Sequence, residues 1–315
     1  MSGHRYPPVE PSESGRLAVG DGHEIYWETV GDPDGFPVVL LHGGPGSGCG
    51  VESRRWFDSA AHRAILFDQR GCGRSRPLAD SAAADLRTNT TDHLIADLEQ
   101  LRTHLDIERW MVVGLSWGVT LGLAYAQRHP ERVSRMALAA VTAGRRLETE
   151  WITRGMRRVF PREWERLASL VPEAERGGDL AAAYARLLAD PDPAVTDRAA
   201  LAWCAWEDTH VSLSTDVEPD LQLMPGQERQ VFARLVTHYW SHGCFLDAAP
   251  IFANMAAIER IPAVLIHGQR DVSSPLDTAW DLHRRWPASD LLVLDDAGHG
   301  GGAMIDELVS AINQR

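Results

Sequence analysis

The chain has 315 residues, 44% of them apolar and 24% charged, which suits one large soluble domain or a core carrying a smaller companion. A formal net charge of −13 repels phosphate backbones and anionic lipid, so nucleic acid and membrane surfaces are excluded as expected partners. Residues 1–14 are polar and rich in Pro and Glu, with no basic stretch leading into an apolar run; they read as a flexible tail, not a signal peptide, and no segment reaches membrane-spanning length.

In chain order, Arg16–Gly20, the turn Asp21-Gly22 and His23–Val30 predict a hairpin. Pro37–Leu41 (PVVLL) is a short continuous apolar run, as expected of a strand covered on both faces, and it leads into His42-Gly43-Gly44-Pro45-Gly46. A second such run, Ala64–Asp68, leads into Gln69-Arg70-Gly71-Cys72-Gly73-Arg74-Ser75. Thr91–Leu105 has helical spacing of leucines, Trp110–Gly114 is a third buried strand, Val119–Arg128 a helix ended by His129-Pro130, and Val133–Val141 a fourth strand.

From about residue 143 to 255 helix formers, tryptophans and paired charges replace the strand pattern. It resumes with Pro262–Gly268, a helix near Leu276–Arg285, the strand Leu291–Asp295 and a last helix near Ile305–Ile312. Alternating strands and helices predict an α/β fold with a doubly wound, mostly parallel sheet. The expected division is a core at 1–142 and 256–315 split by a helical cap at 143–255. Cys49, Cys72, Cys204 and Cys244 are widely spaced, fit free thiols in a reducing cytoplasm and show no metal-site spacing. Cys72, in the loop after a buried strand, is expected to give some sensitivity to thiol reagents.

Gly114-Leu115-Ser116-Trp117-Gly118 is a G-x-S-x-G sequence between a buried strand and a helix. A turn this tight strains the serine backbone, and flanking glycines leave room where strand and helix cross. The hydroxyl of Ser116 is thereby expected at the C-terminal edge of the sheet as a nucleophile. A serine needs a base, and the base an orienting acid. A G-x-S-x-G turn between strand and helix points to the α/β-hydrolase fold, in which the chain order is Ser, acid, His. Asp271 follows one late strand and His299 follows the last, so Ser116, Asp271 and His299 form the candidate triad. Asp295 and Asp296 stand too near His299 in sequence to approach its ring from the usual side. The backbone N–H of Trp117 and that of Gly44 are the expected oxyanion donors, and Gly44-Pro45 is a candidate cis bond. Turnover is expected to rise through pH 6–7 as His299 loses its proton.

His42–Gly46, Asp68–Ser75 and Gly114–Gly118 together resemble the proline iminopeptidase (prolyl aminopeptidase) family, as does Leu123-Ala124-Tyr125-Ala126-Gln127-Arg128-His129-Pro130. The resemblance covers most of 16–142 and 256–315. It implies a serine hydrolase of aminopeptidase type, acting through an acyl-enzyme on a small peptide or aminoacyl-amide, with no metal or organic cofactor. Trp203-Cys204-Ala205-Trp206-Glu207 is similar to that family's W-x-x-W-E, where the glutamate binds the substrate's α-amino group. This makes Glu207, with Trp206, the candidate substrate-binding residues, and Arg145 matches a cap arginine of the family. A carboxylate between indoles is partly desolvated and attracts a cation more strongly than in water.

Two positions depart from the family pattern. Val236 replaces a second glutamate in Ala233–Tyr239, and Ile152 and Thr153 replace the aromatics that follow a cap tryptophan. An amide hydrolase that removes an aminoacyl group from a small metabolite therefore remains an alternative, as does a generic esterase. Nothing in the sequence fixes the oligomeric state.

Overall fold

Asp21 and Gly22 both take positive φ (54° and 76°), the two-residue turn whose twist matches that of antiparallel strands. They join β1 (Glu13–Gly20) to β2 (His23–Gly31) in the computed structural model, which describes residues 5–211, 213, 220–247 and 250–314. The continuous apolar runs form β3 (Phe36–Leu41), β4 (His62–Asp68), β5 (Trp110–Leu115) and β6 (Val133–Ala139), and the late ones β7 (Ala263–Gly268) and β8 (Ser289–Leu294). The eight strands lie in the order β1-β2-β4-β3-β5-β6-β7-β8. β1 and β2 are antiparallel to their neighbours, and every pair from β4 to β8 is parallel.

Helices α1 (Thr91–His104) and α2 (Trp117–Arg128) cover one face of the sheet. Their Leu94, Leu98, Leu101 and Leu121 share a buried cluster with Val39, Ile65 and Val112. The opposite face packs Met304, Leu308 and Ile312 of the C-terminal helix against Val38, Leu66 and Val113. Because both faces are covered, the strands carry apolar residues at successive positions. The chain moves outward from β3 to β4, then crosses back to place β5 on the other side of β3. The C-terminal ends of β3 and β5 therefore flank the point where winding reverses, the crevice in which sheets of this kind bind ligands.

Between β6 and β7 the described residues form no strand. They supply α3 (Arg146–Thr153), α4 (Pro161–Ser169), α5 (Leu180–Leu187), α6 (Pro193–Val211) and α7 (Gly226–Ser241). These helices enclose a buried cluster of their own around Trp203, Tyr184, Leu167 and Val236. The end of the segment also packs on the core. Tyr239, Cys244, Leu246, Ile251 and Met255 belong to the cluster under α1 and α2, and Tyr239 Oη donates to Asn89 Oδ1 at 2.7 Å. Two further helices, α8 (Asp277–Arg285) and α9 (Gly302–Asn313), follow β7 and β8.

The expected free tail is held down where it is described. Tyr6 N–H donates to the Arg55 carbonyl, Arg55 Nε donates back to the Tyr6 carbonyl, and Tyr6 and Val9 pack on the α9 side of the core. Residues 1–4 of that tail lie outside the described residues. Among the described residues, no helix is long and apolar enough to cross a membrane.

Candidate active site

The turn after β5 holds Ser116 at φ 54° and ψ −119°, a conformation that L-residues rarely adopt. Its neighbours explain why glycine flanks it. A Cβ on Gly114 would lie 2.7 Å from the Gly118 carbonyl oxygen, and one on Gly118 only 2.0 Å from that of Leu41. Strand and helix thus cross at backbone contact, and α2 begins immediately beside the serine, its N-terminal dipole favouring negative charge there.

Ser116 Oγ lies 2.9 Å from His299 Nε2, and His299 Nδ1 lies 2.8 Å from Asp271 Oδ2. With Nδ1–H donating to the carboxylate, Nε2 presents a lone pair to the hydroxyl. Asp271 is buried. Its other oxygen, Oδ1, accepts the Ser274 N–H at 2.8 Å. Burial works against the Asp271 charge but is outweighed by His299 and the hydrogen bonds, so its carboxyl titrates below the usual range. At His299 burial favours the neutral ring, while the Asp271 charge and hydrogen bond outweigh it and raise the pKa above the ordinary 6.5. The two loops meet because Gly268 carries no side chain: a Cβ there would lie 2.3 Å from the Gly298 carbonyl oxygen.

The His42–Gly46 loop after β3 runs past the serine, with a Cβ on Gly43 falling 3.5 Å from Ser116 Cβ. Gly44 has φ 109°, and its bond to Pro45 is cis. The loop is tied to the other motifs by side chains that the sequence reading had not singled out. His42 Nε2 accepts the Gln69 N–H at 3.1 Å, Gln69 Nε2 donates to the His42 carbonyl at 3.1 Å, and Trp117 Nε1 donates to Gln69 Oε1 at 2.9 Å. The HGGPG loop, the DQRGCGRS loop and the serine turn are therefore one hydrogen-bonded unit. Another buried histidine, His267, accepts the Val141 N–H and donates to the Ser274 carbonyl, bracing the Asp271 loop.

A cavity of about 320 Å³ opens over this unit. Ser116, His299, Gly44 and Trp117 line its core side, and Ile152, Phe232, Trp240 and Glu207 its helical side. Glu207 is buried, its Oε2 3.4 Å from His210 Nε2 and its Oε1 without a partner. Burial pushes its carboxyl up to about 8.

Other expected residues stand elsewhere. Trp206 is buried behind Glu207, edge-on to His210 and Phe160, and does not line the cavity. Arg145 does not line it either. Its guanidinium bonds Glu148 at 2.8 Å and Thr278, and lies over the Phe252 ring. Glu148, which the sequence reading passed over, does reach the lining, with both oxygens already engaged by Ala143 N–H, Arg145 and Thr278. The expected reactivity of Cys72 is corrected: the residue has 0% exposure, and burial pushes its thiol well above its ordinary value, so the nucleophilic thiolate is suppressed.

The chain matches the alpha/beta hydrolase fold family over residues 37–301. It is 46% identical to a probable proline iminopeptidase of Streptomyces coelicolor, covering 98% of this chain and 97% of that one. It is 43% identical to a proline iminopeptidase of Xylella fastidiosa, covering 97% of each. This chain belongs to the proline iminopeptidase family of α/β hydrolases. It is a serine hydrolase of aminopeptidase type. Among solved structures it is similar to a proline iminopeptidase-related protein from Thermus thermophilus (24% identity, TM-score 0.58, 95% of each chain) and to a bromoperoxidase from Bacillus anthracis (20% identity, TM-score 0.63, 95% of this chain and 97% of that one), likenesses of fold alone. Against the proline iminopeptidase pattern, Val236 is buried in the helical cluster and does not line the cavity, whereas Ile152 does.

Proposed function

We propose that this chain removes the first residue of a short peptide or aminoacyl-amide, with Ser116 as nucleophile, His299 as general base and acid, and Asp271 as the group that orients it. The observation carrying this reading is the unbroken chain Ser116 Oγ–His299 Nε2 (2.9 Å) and His299 Nδ1–Asp271 Oδ2 (2.8 Å), at the wall of a cavity that also holds a buried carboxyl. Ser116 Oγ attacks the scissile carbonyl carbon as its proton passes to His299 Nε2. The N–H groups of Gly44 and Trp117 stabilise the oxyanion. His299 then gives the proton to the departing amine, and water hydrolyses the acyl-enzyme by the same route in reverse.

Glu207 is the anchor for the substrate's α-amino or imino group. A carboxyl titrating near 8 with one unpartnered oxygen is costly to ionise alone, and an ammonium group supplies the missing charge and hydrogen bond. The helices α3–α7 act as a cap that gives the cavity its second wall. With Ile152 and Phe232 on that wall, the pocket favours compact apolar side chains, proline included.

Ser116→Ala is expected to lower kcat at least about 10³-fold with an unchanged circular dichroism spectrum; turnover near the parent level would remove Ser116 from the role. Glu207→Gln is expected to raise KM about tenfold or more for prolyl and alanyl chromogenic amides while sparing N-blocked esters. Equal effects on both substrate classes would remove the anchor.

A further inference from the structure

Gln69 is a buried polar side chain to which the reaction above gives no role. It follows β4, and its backbone is held from both sides: Asp68 accepts from Arg74 Nε at 2.7 Å, and Arg70 Nη2 donates to Asp97 at 2.6 Å. It is 2% exposed and does not line the cavity, so it does not touch substrate. Its carboxamide reaches both loops that carry the oxyanion donors. Oε1 accepts the Trp117 Nε1–H at 2.9 Å, and Nε2 donates to the His42 carbonyl at 3.1 Å. The Gln69 N–H donates to His42 Nε2, so the ring proton stands on Nδ1, which donates to the Gly43 carbonyl at 2.9 Å. Burial lowers the His42 pKa and keeps the ring in this neutral form.

The Gly43 carbonyl is one half of the peptide unit whose other half is the Gly44 N–H. That peptide is trans, so its C=O and N–H point opposite ways. Holding the carbonyl against the His42 ring therefore aims the Gly44 N–H away from it, and among the described residues that N–H has no protein acceptor. At the other loop, Trp117 is the first residue of α2. Its indole is held at Nε1 by Gln69 and packs edge-on to Tyr239 with ring centroids 4.7 Å apart.

We propose that Gln69 is a positioning residue for the oxyanion site: one carboxamide sets the spacing and direction of two N–H groups on separate loops, that of Gly44 after β3 and that of Trp117 after β5. Donors stabilise a developing oxyanion most when they are already fixed where the charge will appear. A peptide between two glycines turns readily when nothing holds it. Without the link the Gly43–Gly44 unit samples other orientations, and the loss falls on the transition state, leaving substrate binding as it was.

The inference rests on Gly44 and Trp117 as the oxyanion donors, and the test separates the two. Gln69→Met keeps the length of the side chain and loses both side-chain hydrogen bonds. It is expected to lower kcat for prolyl amides about 10- to 100-fold, with KM within about twofold of the parent, and to leave the acid limb of the pH profile where His299 sets it. Two inhibitors are then compared. The boron of pyrrolidine-2-boronic acid accepts an electron pair from Ser116 Oγ, whose proton passes to His299, and the tetrahedral adduct places an oxygen in the oxyanion site. Prolinol presents the same ring amine and forms no adduct. In Gln69→Met the boronic acid should bind about tenfold or more weakly, and prolinol as in the parent. Equal weakening of both, or parental affinity for both, would overturn the positioning role. Trp117→Phe removes the Nε1 donor and keeps the backbone N–H; it should act in the same direction, and adding it to Gln69→Met should cost little more. Additive losses would show that the two side chains act separately and would also overturn the link. If Gln69→Met does not fold, Trp117→Phe carries the same comparison of inhibitors. A parent that binds the boronic acid no more tightly than prolinol would remove the oxyanion site itself. A parent that prefers the boronic acid, with the preference undiminished in both variants, would leave that site standing and remove Gln69 alone.

Discussion

At the serine, pH dependence is set by His299, which must be neutral to accept the Ser116 proton. Asp271 raises its pKa above the ordinary 6.5, so the acid limb of kcat/KM is expected to be displaced upward from that of a free histidine. Asp271→Asn should lower turnover by about 10⁴-fold by favouring the wrong ring tautomer. A pH–rate series on a blocked ester, which has no amine to titrate, measures the limb directly. Cys72 should stay unmodified by iodoacetamide in the native protein, with activity retained, as followed by mass spectrometry. Ser116, Asp271 and His299 could be picked out of the sequence because each follows a run that the sequence marks as a strand, which needs only local reading. Gln69 and His267 could not, because their contacts exist only across the fold: Gln69 bonds His42 27 residues away, and His267 accepts the Val141 N–H 126 residues away.

The helix α6 brings the element scale into view. Trp203, Cys204, Trp206, Glu207 and His210 are all buried on it, because α4, α5 and α7 surround it on one side and the core loops meet it on the other. Its buried residues form one broad stripe through Thr196, Ala199, Ala200, Trp203, Trp206 and His210, with Arg198 and Leu201 exposed, and tryptophan spacing within that stripe could not tell lining from packing. Trp206, expected beside the substrate, packs behind the anchor instead. Trp203→Ala should cost about 3–5 kcal/mol in urea unfolding, since the ring fills the centre of the helical cluster between Tyr184 and Trp240. The same variant should lose more kcat/KM on free-amine substrates than on blocked ones, because the helix it loosens carries Glu207. The strands were legible from their continuous apolar runs. The packing of Tyr239, Cys244, Leu246, Ile251 and Met255 on the core was not, since Tyr239 continues a helix whose earlier turns belong to the cap.

For the whole molecule, net charge becomes a kinetic quantity. A surface carrying −13 draws a cationic amino terminus toward the protein and leaves a neutral, blocked substrate unaffected. Raising ionic strength from about 0.01 to about 1 M shortens the screening length from ~30 to ~3 Å. Under those conditions kcat/KM for aminoacyl amides should fall while that for blocked esters stays level; parallel behaviour would mean that the field plays no part in capture. The doubly wound, mostly parallel character of the sheet followed from the alternation of elements, but the strand order, with β3 and β5 flanking the crevice, is a property that no single stretch of sequence carries.

The glycines at 114, 118 and 268 divide the reasons for which this sequence can change. Each stands where a methyl group would overlap backbone oxygen at 2.7 Å or less, and not one of them needs to touch a substrate. A library of variants selected only for folding should therefore reject substitutions at these three positions. The same library should accept many residues at Ser116 and His299, which do chemistry but do not hold the backbone together. Comparing that library with one selected for activity would separate the residues that build the reaction centre from those that use it.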